Sequence, residues 1–103
     1  MWAQLITMRL KPGGEAALPK VLEGLRAAEQ PDSGLLSTTT MRDRNDPSRV
    51  FTLVVFESEQ MARAREDDPR RSEALAAVRA VMADAFDGPP EFVDLDVVDD
   101  RTL

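Results

Sequence analysis

Hydrophobic and polar residues follow strand-type and helix-type patterns along the first half of the chain. Residues 2–10 alternate with a period of two, which predicts a β-strand. Residues 15–30 carry apolar side chains at the three-and-four spacing of an amphipathic helix. Its regular part should begin at Leu18 or Pro19, because proline fits only the first helical turn. Residues 35–42, with three consecutive threonines, then predict a second strand.

The second half of the chain repeats the order of strand and helix. Residues 50–56 form the clearest strand pattern, and the turn-rich residues 43–48 before it predict a hairpin loop. Ser58 is suited to cap a helix, and the break at residues 67–69 predicts a helix in two pieces. Residues 93–97 alternate again as a last strand. The order is therefore β-α-β-β-α-β, an α+β arrangement with a four-stranded antiparallel sheet.

Both faces of the predicted sheet are apolar. The third strand carries three apolar side chains on each side, namely Phe51, Leu53 and Val55 on one and Val50, Val54 and Phe56 on the other. Two helices can cover only one face of a four-stranded sheet, so the other face needs a partner. We expect a homodimer joined through sheet faces; the alternative is a monomer whose exposed apolar face is smaller than the pattern indicates.

Composition narrows the classes of function. The 103 residues include no cysteine and no histidine, which excludes disulfides, thiolate metal sites and the commonest general base. The net charge of −6 disfavours nucleic acid as a partner, and no apolar segment is long enough to span a membrane. We expect a soluble cytoplasmic protein; the preference for arginine over lysine is typical of GC-rich bacterial genomes.

Four short motifs, in order along the chain, carry a resemblance to a known family. They occupy residues 11–13 (KPG), 31–34 (PDSG), 42–49 (RDRNDPSR) and 56–58 (FES). Their order and spacing resemble those of the antibiotic biosynthesis monooxygenase family. The resemblance implies that residues 1–103 form a single ferredoxin-like domain, that two copies form a dimeric α+β barrel, and that the protein oxygenates a small aromatic such as a phenol, hydroquinone or polyketide without a cofactor.

The sequence departs from this family at three positions. Phe56 stands where the family usually has a tryptophan, and Val54 stands where a glutamate is frequent. A histidine common in the second helix would fall near Arg65. Haem-degrading relatives coordinate iron through histidine, so its absence counts against that chemistry. We expect no haem, flavin or tightly bound metal.

Candidate site residues follow from the resemblance and the strand pattern. Gln4 is a polar side chain on an apolar strand face, where it needs a ligand, backbone or water as partner. Arg65 or Arg42 would stabilise a phenolate by its charge, although the neighbouring acidic residues favour an exposed surface side chain as the explanation of either arginine. The residues predicted to line an aromatic pocket, which core packing also explains, are Trp2, Met8, Phe51, Phe56 and Met82.

Two functions remain open at this point. One is a cofactor-independent monooxygenase; the other is a non-catalytic dimeric module that binds a ligand or assists another protein. A cavity of about 300 Å³ or more between sheet and helices, with Gln4 or an arginine pointing in, would favour the first. Asp94 and Asp96 share one side of the last strand and are interpreted as a solvated edge.

Overall fold

The computed structural model describes residues 1–103 and contains four strands and three α-helices. The strands are β1 (Trp2–Arg9), β2 (Leu35–Arg42), β3 (Arg49–Phe56) and β4 (Glu91–Asp96). A 3-10 turn (Gly14–Ala17) leads into α1 (Leu18–Ala27), while α2 (Glu59–Glu66) and α3 (Pro69–Ala85) connect β3 to β4. The strands form one antiparallel sheet in the order β2-β3-β1-β4. This is the predicted ferredoxin-like α+β fold, with its second helix in two pieces.

Capping side chains and prolines explain where the helices begin. The Ser58 hydroxyl accepts a hydrogen bond from the Met61 backbone N–H at 3.2 Å, which confirms the predicted cap of α2. Asp68 accepts from the Arg70 backbone N–H at 2.9 Å, and Pro69 is the first residue of α3. The first helix is shorter than residues 15–30. Its first turn is a 3-10 turn, because Pro19 has no N–H for a regular helical bond, and α1 ends at Ala27.

The strand register divides the sheet into two faces. Trp2 pairs with Phe56 and Gln4 with Val54, so these four side chains project to the same side. Trp2, Val54 and Phe56 are buried there in one cluster with Ala62 of α2. We call this side the helix-covered face. The structure thus decides which of the two apolar faces packs against a helix of the same chain.

The opposite side of the sheet, which we call the open face, is apolar and only partly covered. Its half-buried residues are Leu5, Phe51, Leu53 and Val55. Met41, Val93 and Leu95 lie on the same side and are exposed by 44%, 49% and 38%. The prediction of two apolar faces is therefore confirmed. The dimer that it implies stays a prediction.

The ends of β1 and β4 differ slightly from the sequence-based boundaries. β1 ends at Arg9, and Leu10 forms an isolated bridge with Phe86. Gly14 packs so tightly against the end of α3 that a Cβ atom there would overlap the Ala85 carbonyl. β4 covers residues 91–96 instead of 93–97, because its pairing with β1 decides its limits. No helix has both the length and the apolar character needed to cross a membrane.

Candidate active site

Four of the predicted site residues lie on the helix-covered face. Trp2, Gln4 and Met8 alternate along β1, and Phe56 is opposite Trp2 in β3. The rings of Trp2 and Phe56 are 6.0 Å apart between centroids and tilted by 48°, and the two residues are only 6% and 2% exposed. They therefore form a buried aromatic pair beneath α2.

Two of the predicted pocket residues do not join this pair. Phe51 lies opposite Thr7 and projects to the open face, because it is separated from Phe56 by an odd number of positions. Its ring is contacted by the Arg49 guanidinium at 4.9 Å. Met82 is half-buried in α3, where its carbonyl accepts a hydrogen bond from Phe86 N–H at 2.9 Å. Of the three aromatic residues predicted for the pocket, only Trp2 and Phe56 therefore lie together at the candidate site.

Gln4 has a partner that the sequence did not reveal. Its Nε2 donates to Oδ1 of Asp94 at 3.0 Å, because Asp94 lies directly opposite Gln4 where β4 pairs with β1. The other oxygen of Asp94, Oδ2, accepts from Nη2 of Arg63 at 3.0 Å. Gln4, Asp94 and Arg63 thus form a hydrogen-bonded chain from the sheet to α2, which we call the polar bridge.

The polar bridge adjoins the aromatic pair. The Arg63 guanidinium carbon lies 5.1 Å from the centroid of the Trp2 ring, within the range of a cation–π contact. Arg63 also has a long contact of 3.4 Å with Glu66 on the next turn of α2. The side chains of Arg63 and Asp94 are 45% and 51% exposed, while Gln4 is half-buried. The bridge therefore lies at the edge of the sheet, with solvent on one side and aromatic rings on the other.

Arg65, the cation predicted to assist catalysis, is engaged elsewhere. Its Nε and Nη2 donate to both carboxylate oxygens of Glu29 at 2.7–3.1 Å, and its guanidinium carbon lies 5.1 Å from the centroid of the Phe56 ring. The Arg65 and Glu29 side chains are only 16% and 21% exposed. Bidentate geometry and burial make this a structural ion pair between α2 and the segment after α1. The structure does not bring Arg65 to Gln4.

Glu29 also accepts a hydrogen bond from Arg71 at 3.3 Å. Burial raises the pKa of Glu29, but hydrogen bonds from Arg65 and Ser33 and the charges of both arginines outweigh it and hold that pKa below its usual 4.5. Burial and the charge of Arg65 lower the pKa of Arg71. The carboxylate is therefore kept ionised between two guanidinium groups.

Arg42, the other predicted cation, belongs to the hairpin loop. Its Nε donates to the Pro47 carbonyl at 2.8 Å and the side chain is exposed. It lines an open cleft of about 470 Å³ at the end of the sheet, together with Arg9 and Lys11. A smaller cleft of about 180 Å³ lies beside Arg65 and Arg71. Neither cleft is lined by Gln4, and neither is the cavity between sheet and helices that the sequence predicted.

Sequence reasoning missed Arg63 and Asp94 as site residues. Arg63 was not singled out among the arginines, and Asp94 was interpreted as part of a solvated edge. The signal that joins them to Gln4 is the pairing of β1 with β4, which brings together residues 90 positions apart. No cluster of three or more histidine, cysteine or carboxylate side chains with the arrangement of a metal site is present.

Comparisons with known proteins agree with this architecture. The sequence model named "Antibiotic biosynthesis monooxygenase" matches residues 1–82. No curated protein matches the chain. Among solved structures, a protein of unknown function from Nitrosomonas europaea is similar with 22% identity and a TM-score of 0.74, over 99% of this chain and 93% of that one. At this identity, the likeness concerns the fold.

Two further structures carry the family's name. The "putative antibiotic biosynthesis monooxygenase" of Chloroflexus aurantiacus J-10-fl is 26% identical, with a TM-score of 0.68 over 99% of this chain and 98% of that one. A protein of the same description from Bordetella bronchiseptica is 17% identical, with a TM-score of 0.76 over 94% and 96%. The family match spans β1 through most of α3, which includes the aromatic pair, Gln4 and Arg63. This chain therefore belongs to the antibiotic biosynthesis monooxygenase family.

Proposed function

We propose that this protein is a cofactor-independent monooxygenase that acts on a small electron-rich aromatic at the helix-covered face. The observation that carries the proposal is the polar bridge beside the Trp2 and Phe56 rings. It places hydrogen-bonding groups next to two buried aromatic rings, and a site for a phenol combines such groups with aromatic packing. Membership of the family supports the reaction class.

The substrate supplies the electrons in such a reaction. A phenol and one molecule of oxygen give a quinone and one molecule of water, so one oxygen atom enters the ring and the other leaves as water. The phenol reacts more readily once its hydroxyl proton has passed to solvent water, because the phenolate ring is richer in electrons. Arg63, and not Arg65, is the cation joined to Gln4 through Asp94, but Asp94 and Glu66 already offset its charge. Ionisation of the phenol would therefore rest mainly on the acidity of the substrate itself.

Val54 and Phe56 affect how catalysis would work. Val54 cannot act as an acid or base, and Phe56 has no N–H to donate, unlike the residues usual in the family. We therefore assign hydrogen bonding to Gln4, and the buried rings of Trp2 and Phe56 form the aromatic packing next to it. Met8 is on the same face and would extend the apolar wall.

We also propose that two copies associate through their open faces. The supporting observation is the set of partly exposed apolar residues on that side of all four strands, with Met41, Val93 and Leu95 among them. Apolar patches of this kind are uncommon on proteins that stay monomeric. Two open faces related by a two-fold axis would produce the dimeric α+β barrel.

A second candidate is a non-catalytic module that binds a ligand or assists another protein. Two observations favour it. Neither cleft is the cavity beside Gln4 that would favour the enzyme. Arg65 is held by Glu29 and Arg42 by the hairpin loop, so neither predicted phenolate-stabilising cation reaches Gln4. The two candidates share a ligand site and differ in whether oxygen is consumed there.

Oxygen uptake with a panel of hydroquinones and polyphenols tests the proposal, with each compound also measured without protein. We expect the protein to accelerate uptake with at least one compound, and Gln4→Leu to reduce that acceleration without loss of folding. Arg44→Gln is a matched polar control on the exposed hairpin loop and should leave the rate unchanged. Binding without faster uptake would favour the non-catalytic module, and absence of both would refute the aromatic site.

A further inference from the structure

We infer that Asp94 is a positioning residue that orients the Gln4 amide, so that the site prefers an aromatic ligand with an O–H donor over the same ring without one. This inference rests on the proposed aromatic site. It concerns which hydrogen-bonding form of the ligand is accepted, and it involves no covalent step.

The orientation of the Gln4 amide follows from the chemistry of its partner. An ionised carboxylate only accepts hydrogen bonds, so the group that Gln4 turns toward Asp94 has to be its NH₂. Arg63 holds the other oxygen of Asp94, which keeps the carboxylate in place. The carbonyl oxygen, Oε1, is therefore the atom of Gln4 that faces away from Asp94.

The Gln4 carbonyl oxygen is available to a ligand. Gln4 is half-buried, and no hydrogen bond to its Oε1 is present. No buried side-chain oxygen or nitrogen in the protein lacks a partner, so Oε1, which has none, is not fully buried. An accessible carbonyl oxygen beside aromatic rings accepts a hydrogen bond from a phenolic O–H and gives none to an ether oxygen.

The charges around the bridge favour a neutral ligand. Arg63 is the one guanidinium of the bridge, and it already contacts two carboxylates, Asp94 at 3.0 Å and Glu66 at 3.4 Å. Asp96, opposite Trp2 on the same face of β4, adds another negative charge. A carboxylate ligand would be repelled here, whereas a neutral hydroxyl donor would not. The charges therefore favour a neutral hydroxyl donor over an anionic ligand.

Binding of two matched ligands tests the inference. Hydroquinone and 1,4-dimethoxybenzene have the same ring, but the second has no O–H. Dissociation constants are measured without oxygen by NMR titration, with the Gln4 side-chain amide signals followed in the same spectra. We expect the wild type to prefer hydroquinone by about fivefold, the value of one net hydrogen bond.

Asp94→Ala should abolish this preference, because the freed Gln4 amide can turn and offer either its NH₂ or its oxygen. Gln4→Leu should abolish it too, by removing the acceptor. Asp96→Ala is the matched control: it removes the same charge from the same face of β4 but leaves Gln4 anchored, and should keep the preference. In Asp94→Ala alone, the Gln4 amide signals should shift before any ligand is added.

Three results would overturn the inference. A preference that survives in Asp94→Ala means that Asp94 does not orient Gln4, although the aromatic site itself would stand. Equal loss in Asp96→Ala means that the effect is one of charge alone. If neither ligand binds the wild type, the proposed site does not exist, and the inference fails with it.

Discussion

Leu53→Asp is expected to prevent dimer formation without unfolding the subunit. Leu53 lies near the centre of the open face, in a row in which Thr39, Leu53, Leu5 and Val93 are paired across all four strands. Leu53 is half-buried in the single chain, so the carboxylate of an aspartate at this position would keep access to water in a monomer. In a dimer joined through this face, the same carboxylate would be buried without a partner.

The size of the effect follows from this difference in solvation. An unpaired charge at a buried interface costs about 3–5 kcal/mol, which corresponds to a dissociation constant roughly 150-fold to several thousand-fold weaker. Each dimer would contain the change twice by symmetry, so the total is larger still. A micromolar or tighter dimer would then be monomeric throughout the usual concentration range.

Sedimentation velocity at micromolar concentration measures the outcome, with circular dichroism as a check on folding. The wild type should sediment as twice the 11.4 kDa chain and Leu53→Asp as a single chain. Val98→Asp makes the same kind of change at a residue that is 96% exposed, and should leave the dimer intact. A wild type that is only monomeric, or a Leu53→Asp variant that dimerises with unchanged affinity, would show that the open face is not the interface.

Two further predictions concern stability. Phe56→Ala should lower the free energy of unfolding by about 3–5 kcal/mol, since Phe56 is 2% exposed. Phe56→Trp should lower it by about 1–3 kcal/mol, since the larger ring has to displace Arg65. Urea unfolding measures both values, and a larger loss in Phe56→Trp than in Phe56→Ala would contradict this packing. Because the pKa of Glu29 is lowered in the folded protein, its ionisation stabilises the fold above about pH 4.5, and that stability is lost as the pH falls through the folded pKa. The decrease in unfolding free energy between about pH 6 and pH 3 should therefore be smaller in Glu29→Gln than in the wild type; an equal decrease would mean that the pair with Arg65 and Arg71 contributes little.

Much of the fold could be predicted because its signals are local. The alternation in residues 50–56, the Ser58 cap and Pro69 as the first residue of α3 each depend on neighbours within a few positions. The end of the first helix was predicted less well, since α1 stops at Ala27 and leaves Glu29 free to pair with Arg65. That ion pair is a tertiary contact, and no local sequence pattern predicts it.

The candidate site was predicted only in part. Trp2, Gln4, Met8 and Phe56 were expected at the site, and the register of β1 with β3 does bring them to one face. Phe51 was wrongly grouped with them, although its odd spacing from Phe56 already places it on the other side of the strand. No local pattern in the sequence distinguishes Arg63 from Arg65, because both arginines belong to α2 and both lie over an aromatic ring. The sequence therefore could not show that Arg63 is the one joined to Gln4.

The sequence by itself determined the order of the elements, their approximate limits and the apolar character of both sheet faces. These properties follow from periodicity, proline and capping side chains, all of which act within one or two turns of chain. Only the tertiary structure decided which face lies against α2, which strand edge brings Asp94 to Gln4, and which arginine joins them. The physical reason is that an alternating strand presents two equivalent faces, and the choice between them depends on contacts between residues far apart in the chain.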